Sequence, residues 1–453
     1  MRCLSFVLCR TSFLTRMSAL VLGLMLLSGC LADGWAPASS PLSSHLVSPV
    51  ETRKLPVSLT DAVGHEVARS PLPTLTMTAM PVPTTILAST PAPNPTPMPM
   101  APLRIVSGPL PPGQKIVCVD NGDEDLTSAI WMANVDDLRE VQVIATFENE
   151  REGQIPEAHL SPDGRAIAYV MPGWLQPSVL GVVGIDGSDR RILDESVAEP
   201  GVEWQVRWSR DSRWIAYVRD VRSGREHVSS EIWVVRVDGS VKRHIASAGT
   251  VLLVGWSRDS SQVYYTPGGN DLWAVAVAGG APPSVLLRLG PSSLPLRLSP
   301  DGAKIVYEAR TSVSSPATLG VRSLDGRTDY VLAEGIDARE LAFSNYTLSP
   351  VWSVDSQRVT YNRPVDETSV ALLSVRWDDP EDVIVLRAGD EAYYRPLSWS
   401  PDGRWLASWR YALDEGDEAA FNLVLIDPDG RMERVYSLDP ALPMPSFVGW
   451  MGE

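Results

Sequence analysis

Cysteine and histidine are scarce in this chain. Its 453 residues hold four cysteines and five histidines. No Cys-x-x-Cys pair and no Cys/His cluster occurs, so a structural zinc site is excluded. Basic residues are outnumbered, 39 Lys and Arg against 55 Asp and Glu, which leaves a net charge of −16. A nucleic-acid binder needs clustered cations, and this balance argues against one. No Gly-x-Ser-x-Gly is present, so the nucleophile elbow of an α/β-hydrolase is missing. His45, His65, His159, His227 and His244 form no spaced ligand pair. No catalytic residue and no metal ligand set is therefore expected from local motifs. What is abundant is tryptophan (15), tyrosine (12) and short Val/Ile runs, a composition that favours strands.

The first thirty residues have the layout of a secretion signal. Arg2, Arg10 and Arg16 precede an apolar stretch, Met17 to Leu27, without any acidic residue. That stretch is too short for a spanning helix, which needs roughly 20 residues. It ends in Leu27-Ser28-Gly29-Cys30, which resembles the lipobox of bacterial lipoproteins. The resemblance implies removal of residues 1–29 and a diacylglycerol on the Cys30 sulfur. It also implies a place on a bacterial cell membrane, lipid-anchored and facing the periplasm or the exterior. Several acyl chains on one residue would hold firmly, since each buried methylene adds about 0.8 kcal/mol.

Residues 31–113 contain 17 of the 38 prolines. Proline removes backbone donors and fixes φ, so neither helix nor central strand is expected there. Residues 30–113 thus read as a disordered tether, with a coil reach of roughly 50 Å. Of the cysteines left beyond the leader, Cys118 reads as a buried free thiol.

From residue 114 to the end the chain repeats itself. Six segments share one pattern, beginning at Leu160, Trp208, Trp256, Leu298, Trp352 and Trp399. Each reads (Leu/Trp)-Ser-x-Asp-(Gly/Ser), at intervals of 48, 48, 42, 54 and 47 residues. Ser and Asp bond their own turn backbone, and glycine accepts positive φ. Ser212, Ser260 and Ser356 replace that glycine in three copies. A left-handed serine costs up to roughly 1–2 kcal/mol, so those turns are expected to differ slightly. Asp-Gly pairs at 186, 238, 325 and 429 mark a second hairpin in four copies. One repeat is then four strands, A to D, the pattern of a propeller blade. Lys115–Val119, Ala129–Ala133 and Val141–Ala145 supply strands B, C and D without an A. Phe447–Trp450 matches strand A of the third repeat, Leu253–Trp256. The two ends together make one blade, giving an all-β, seven-bladed propeller; six blades is the alternative.

The repeated (Leu/Trp)-Ser-Pro-Asp-Gly resembles the WD40-like (PD40) repeat of TolB-type propellers over about residues 115–450. That resemblance implies the fold. It leaves the activity open, because such repeats occur in periplasmic TolB, in serine peptidases and in other surface proteins. TolB carries an additional N-terminal α/β domain, whose place the proline-rich tether takes here.

Three B–C loops are acidic. They hold Asp366 and Glu367; Asp414, Glu415, Asp417 and Glu418; and Asp120, Asp123, Glu124 and Asp125. Propeller geometry puts all B–C loops on one face, so these residues form a candidate patch for a cationic partner or Ca2+. The B–C loop of the second repeat carries Arg219, Arg222 and Arg225 instead. The functional expectation is a monomeric, membrane-anchored binding or scaffold module with a protein or extracellular ligand and no cofactor. The alternative is an enzyme or sensor subunit with its site in the central channel.

Overall fold

A computed structural model describes residues 104–452, apart from 107–108, 121–126, 149–155, 173–177, 197–204, 224–225, 269–270, 291–292, 313–314, 338–348, 366–368, 389–391, 413–420 and 438–445. Cys30 and the leader lie outside the described residues. The rest forms seven sheets, six antiparallel ones of four strands and one of five whose outermost strand is parallel. We number the whole blades 1–6 in chain order, from strands A at Glu157–Leu160, Val206–Trp208, Val251–Trp256, Ser293–Leu298, Val351–Trp352 and Ala392–Trp399. Blade 7 takes strand A from the C-terminal Ser446–Met451. Its strands B to D are Lys115–Val119, Thr127–Asn134 and Asp137–Glu148. Lys115 pairs with Met451, Ile116 with Trp450 and Val117 with Gly449, so the two chain ends close the ring. The count is seven.

Each blade packs on two others, and that sets the sequence pattern of its middle strands. Strands buried on both faces read as continuous apolar runs instead of alternating. Val370–Val375 and Ile167–Val170 are buried at every position. Alternate residues serve alternate interfaces: Ile167 and Tyr169 join the blade 7 side, Ala168 and Val170 the blade 2 side. Seven apolar clusters result, one at each junction of neighbouring blades. Cys118 is a fully buried free thiol in the cluster between blades 6 and 7, and burial pushes its pKa up.

One outer element was hidden by the prolines around it. Arg104–Ile105 pairs in parallel with strand D of blade 7, and Leu110 is buried. Asn134 Nδ2 donates to the carbonyls of Pro111 and Pro112 at 3.3 Å each. The part of the tether from residue 104 onward therefore belongs to the propeller, because proline lacks a donor but keeps its acceptor.

The Ser-x-Asp turn is the same device six times. The serine hydroxyl donates to the aspartate at 2.5–2.7 Å, in Ser161–Asp163, Ser209–Asp211, Ser257–Asp259, Ser299–Asp301, Ser353–Asp355 and Ser400–Asp402. The same oxygen accepts the N–H five residues on, at 2.8–3.0 Å. The serine copies do not differ in shape from the glycine copies. Ser212, Ser260 and Ser356 sit at φ 57–60°, beside 70–71° for Gly164, Gly302 and Gly403. Each serine hydroxyl instead accepts an N–H from the preceding blade's turn: Asp163 to Ser212 (3.1 Å), Asp211 to Ser260 (3.2 Å), Asp301 to Ser356 (2.9 Å). That bond offsets the left-handed strain.

A second seam runs nearer the axis. The motif's first residue meets the residue two before the motif serine of the preceding blade. Where the motif begins with Trp, the indole bonds across. Trp208 donates to the His159 carbonyl (2.8 Å), Trp256 to Arg207 (2.9 Å), Trp352 to Arg297 (3.3 Å) and Trp450 to Ser398 (3.2 Å). Trp399, opposite Val351, donates to Thr360 Oγ1 (3.3 Å). Where the motif begins with Leu, the residue opposite is glycine. A Cβ on Gly255 would lie 2.8 Å from Leu298 Cδ1, and one on Gly449 would lie 3.4 Å from Leu160 Cβ.

Two stability experiments follow from these seams. Gly255→Ala is expected to destabilise by about 1–3 kcal/mol through overpacking, and Leu298→Ala in the same chain should recover part of that loss. Additive losses in denaturant melts would show that the two positions do not share a space. Ser212→Ala keeps the left-handed strain and loses the cross-blade bond, so it should cost about 1–2 kcal/mol. Ser212→Gly relieves the strain while losing the bond, and should come out near neutral.

Candidate functional site

The strands A form the wall of the axis. Strand A of blade 3 touches those of blades 2 and 4, and strand A of blade 7 touches that of blade 1. Side chains exposed on these strands face the channel, since neighbouring blades cover both sheet faces. Three arginines stand on these strands: the half-buried Arg207 in blade 2, and the exposed Arg297 in blade 4 and Arg395 in blade 6. No two of these blades are neighbours, so the three charges meet across the lumen.

Burial in the channel depresses the Arg297 pKa, and the charges of Arg207 and then Arg395 depress it further. The Arg297 side chain has lumen-exposed surface, but protein surrounds the lumen, and the desolvation is that of an enclosed site. Arg207 is likewise lowered by burial, with the Glu157 carboxylate opposing. Its Nη1 donates to the Val206 carbonyl at 2.8 Å. Arg395 hydrogen-bonds the Tyr411 hydroxyl. Arginine stays charged under these conditions. Among the described residues, no carboxylate forms an ion pair with Arg207, Arg297 or Arg395 at contact distance. Enclosed walls focus such a field on the axis.

Two neighbours complete the wall on the blade 1 and 2 side. His159 Nε2 lies 2.6 Å from Glu157 Oε1, both on strand A of blade 1. The Gln205 amide bridges strand edges, accepting from Leu253 N (2.5 Å) and donating to the Val251 carbonyl (3.0 Å). At the A–B end, Arg210 of blade 2 donates to the Ser299 carbonyl of blade 4 at 3.0 Å, and also to that of Pro300. It skips blade 3 and so spans the mouth as a chord.

The expected acidic patch falls almost entirely outside the described residues: Asp123, Glu124, Asp125, Asp366, Glu367, Asp414, Glu415, Asp417 and Glu418 all do. Asp120 is described, and it caps its own hairpin by accepting from Ala129 N at 2.8 Å. Among the described residues no group of three or more His, Cys, Asp or Glu side chains could hold a metal ion.

The basic B–C loop of blade 2 needs correction. Strands Trp214–Ser223 and Glu226–Arg236 extend as a ribbon, so Arg219 and Arg222 are strand residues. The pairing runs out to Ser223 with Glu226, with a register shift at Val221/Arg222. Arg219 Nη1 lies 3.9 Å from the buried Asp194 carboxylate, which also accepts from the Tyr217 hydroxyl and Lys242 Nζ at 2.6 Å each.

The same ribbon brings a serine, a histidine and an aspartate together. Ser230 Oγ donates to Asp220 Oδ1 at 2.6 Å. His227 Nε2 stands 3.1 Å from Ser230 Oγ and 3.3 Å from Asp220 Oδ1. A nucleophilic triad needs the serine on one imidazole nitrogen and the carboxylate on the other. Here one nitrogen faces both oxygens and the serine is buried. The group pins the register shift at Val221/Arg222.

No repeat motif marks the channel arginines. A signal was present: Val206-Arg207-Trp208 and Leu296-Arg297-Leu298 put a charge inside a strand expected to be apolar.

No protein-family model matches the chain, and no curated protein sequence does. Solved structures do resemble it. TolB from Acinetobacter baumannii shares 15% identity at a TM-score of 0.41, over 59% of this chain and 62% of that one. The chain thus spans less than two thirds of that TolB. A putative TolB from Agrobacterium tumefaciens shares 15% at 0.38, over 74% and 99%. The oligogalacturonate lyase of Vibrio parahaemolyticus shares 11% at 0.49, over 70% and 92%. At these identities the likeness concerns the fold alone. The shared fold is that of a β-propeller.

Proposed function

We propose that the protein is a lipid-anchored binding propeller of the bacterial envelope that takes an anionic ligand into its channel. The carrying observation is the convergence of Arg207, Arg297 and Arg395 on the axis of a protein with net charge −16. Like charges gathered on one axis repel, and an oxyanion offsets that repulsion with charge-assisted bonds. The anchor in this reading is the acylated Cys30, with the proline-rich segment as spacer and a single propeller as the binding unit. The acidic loops leave room for a cationic protein on the B–C face.

The Glu157–His159 pair supports a second reading. A carboxylate-held imidazole beside Arg207 is a general acid–base group next to a bound anion. In that reading the channel transforms its ligand, and His159→Ala removes turnover while retaining binding.

Two measurements test the main reading. Inorganic phosphate should raise the melting temperature of the full-length protein at constant ionic strength. Saturation at a hundred times Kd corresponds to ~2.7 kcal/mol. Arg297→Ala should abolish the shift, and an equal shift in that variant refutes the channel as the site. In cells, Cys30→Ser should leave the protein unprocessed or released from membranes. Unchanged processing and retention would remove the anchor from the proposal.

A further inference from the structure

The channel wall is graded along its length. Leu252 stands five residues before the motif serine of blade 3, and Leu294 five before that of blade 4. Both are exposed, at 40% and 43%, on innermost strands of neighbouring blades. Arg207 and Arg297 stand only two residues before their motif serines. A strand rises about 3.3 Å per residue, so the leucines lie roughly 10 Å nearer the B–C face than these two arginines. Arg395 sits at the leucine level on the far side, in blade 6. Beyond Arg207 and Arg297, Arg210 spans the A–B mouth from blade 2 to blade 4. Among the described residues the channel wall is thus cationic toward the A–B end and, three residues further along its strands, apolar in blades 3 and 4.

Resting on the anion-binding reading, we propose that the ligand is a phosphate monoester with an apolar substituent. The dianionic head would sit between Arg207 and Arg297, with the apolar tail against Leu252 and Leu294 and Arg395 across the channel from that tail. Two guanidinium groups already offer more donors than one carboxylate can accept, whereas a phosphate presents three peripheral oxygens on one centre. Two exposed leucines at one side of the channel fit an apolar substituent by ordinary burial. A bare inorganic anion would leave them in water.

The test is calorimetric titration of the full-length protein in detergent with three probes: inorganic phosphate, hexyl phosphate and hexanoate. Hexyl phosphate is expected to bind about tenfold tighter than inorganic phosphate, the yield of burying a few methylenes against the leucines. Hexanoate, with one charge, should bind at least about tenfold more weakly than hexyl phosphate. The double variant Leu252→Ser/Leu294→Ser should bring the two phosphates to similar affinity while leaving inorganic phosphate unchanged. Arg297→Ala should weaken both phosphates by about thirtyfold or more. Circular dichroism of each variant separates lost binding from lost folding. Equal affinity for both phosphates, or a preference that survives the leucine double variant, overturns the apolar substituent and leaves anion binding standing. Hexanoate binding as tightly as hexyl phosphate overturns the dianion. Binding of none of the three overturns this inference and the anion-binding reading together.

Discussion

The ring depends on how one strand A meets the next. At seven junctions, the residue before a motif serine, or its equivalent Trp450, stands against the residue two before that serine in the preceding blade. Five junctions place an indole against a side chain larger than hydrogen, and in four of them the indole N–H takes the carbonyl opposite. The two leucine junctions face glycine, where an added Cβ would crowd Leu298 and touch Leu160. A leucine has no donor to satisfy that carbonyl, and it fills the space a missing side chain leaves. The two choices therefore travel in pairs around the ring. The last of the indole bonds, from Trp450 to Ser398, stands beside the strand pairing of Ile116 with Trp450 that joins the chain ends. Closure removes the exposed edges that a row of blades would otherwise present.

Because that seam fixes the strands A, it also fixes what they carry to the axis. The carbonyls of His159, Arg207, Arg297 and Ser398 are held by indoles of the next blade, so these residues cannot turn without breaking a junction. Two of the three channel arginines are thus positioned through their own backbones. The third, Arg395, is held through its side chain by Tyr411. A site built on such strands is preorganised, and it need not order loops to bind.

The blade pattern was legible because turns are local. Ser-x-Asp closes its bonds within six residues, and Asp-Gly marks the C–D hairpins, so six copies in register define six blades and two incomplete ends define the seventh. The added strand Arg104–Ile105 was not legible, because its prolines outweigh it in any composition window and its partners lie more than 30 residues on. The serine copies show the same limit. Their left-handed cost could be read from sequence, but the bond that offsets it comes from a turn 49 or 55 residues earlier. The arginine cluster is the extreme case. Its members are separated by 90 and 98 residues, and only ring geometry brings blades 2, 4 and 6 to one axis. Of the residues singled out beforehand, the acidic loops lie outside the described residues except Asp120, which serves its own turn.

An acidic propeller with a cationic core places its charges in opposition. The surface excess of carboxylates keeps like molecules apart. The channel walls screen the arginines from that surface, so an anion that reaches the lumen meets a local field opposite in sign to the whole. The neighbouring Glu157 moderates this field at Arg207, whereas the charges acting on Arg297 are both cations. Removing the Arg297 charge lowers the positive potential on the axis. It also relieves the repulsion its neighbours feel, so the fold should gain what the site loses. Stability and ligand binding then respond in opposite directions to one substitution. A residue whose role was only to hold the ring together would move both the same way.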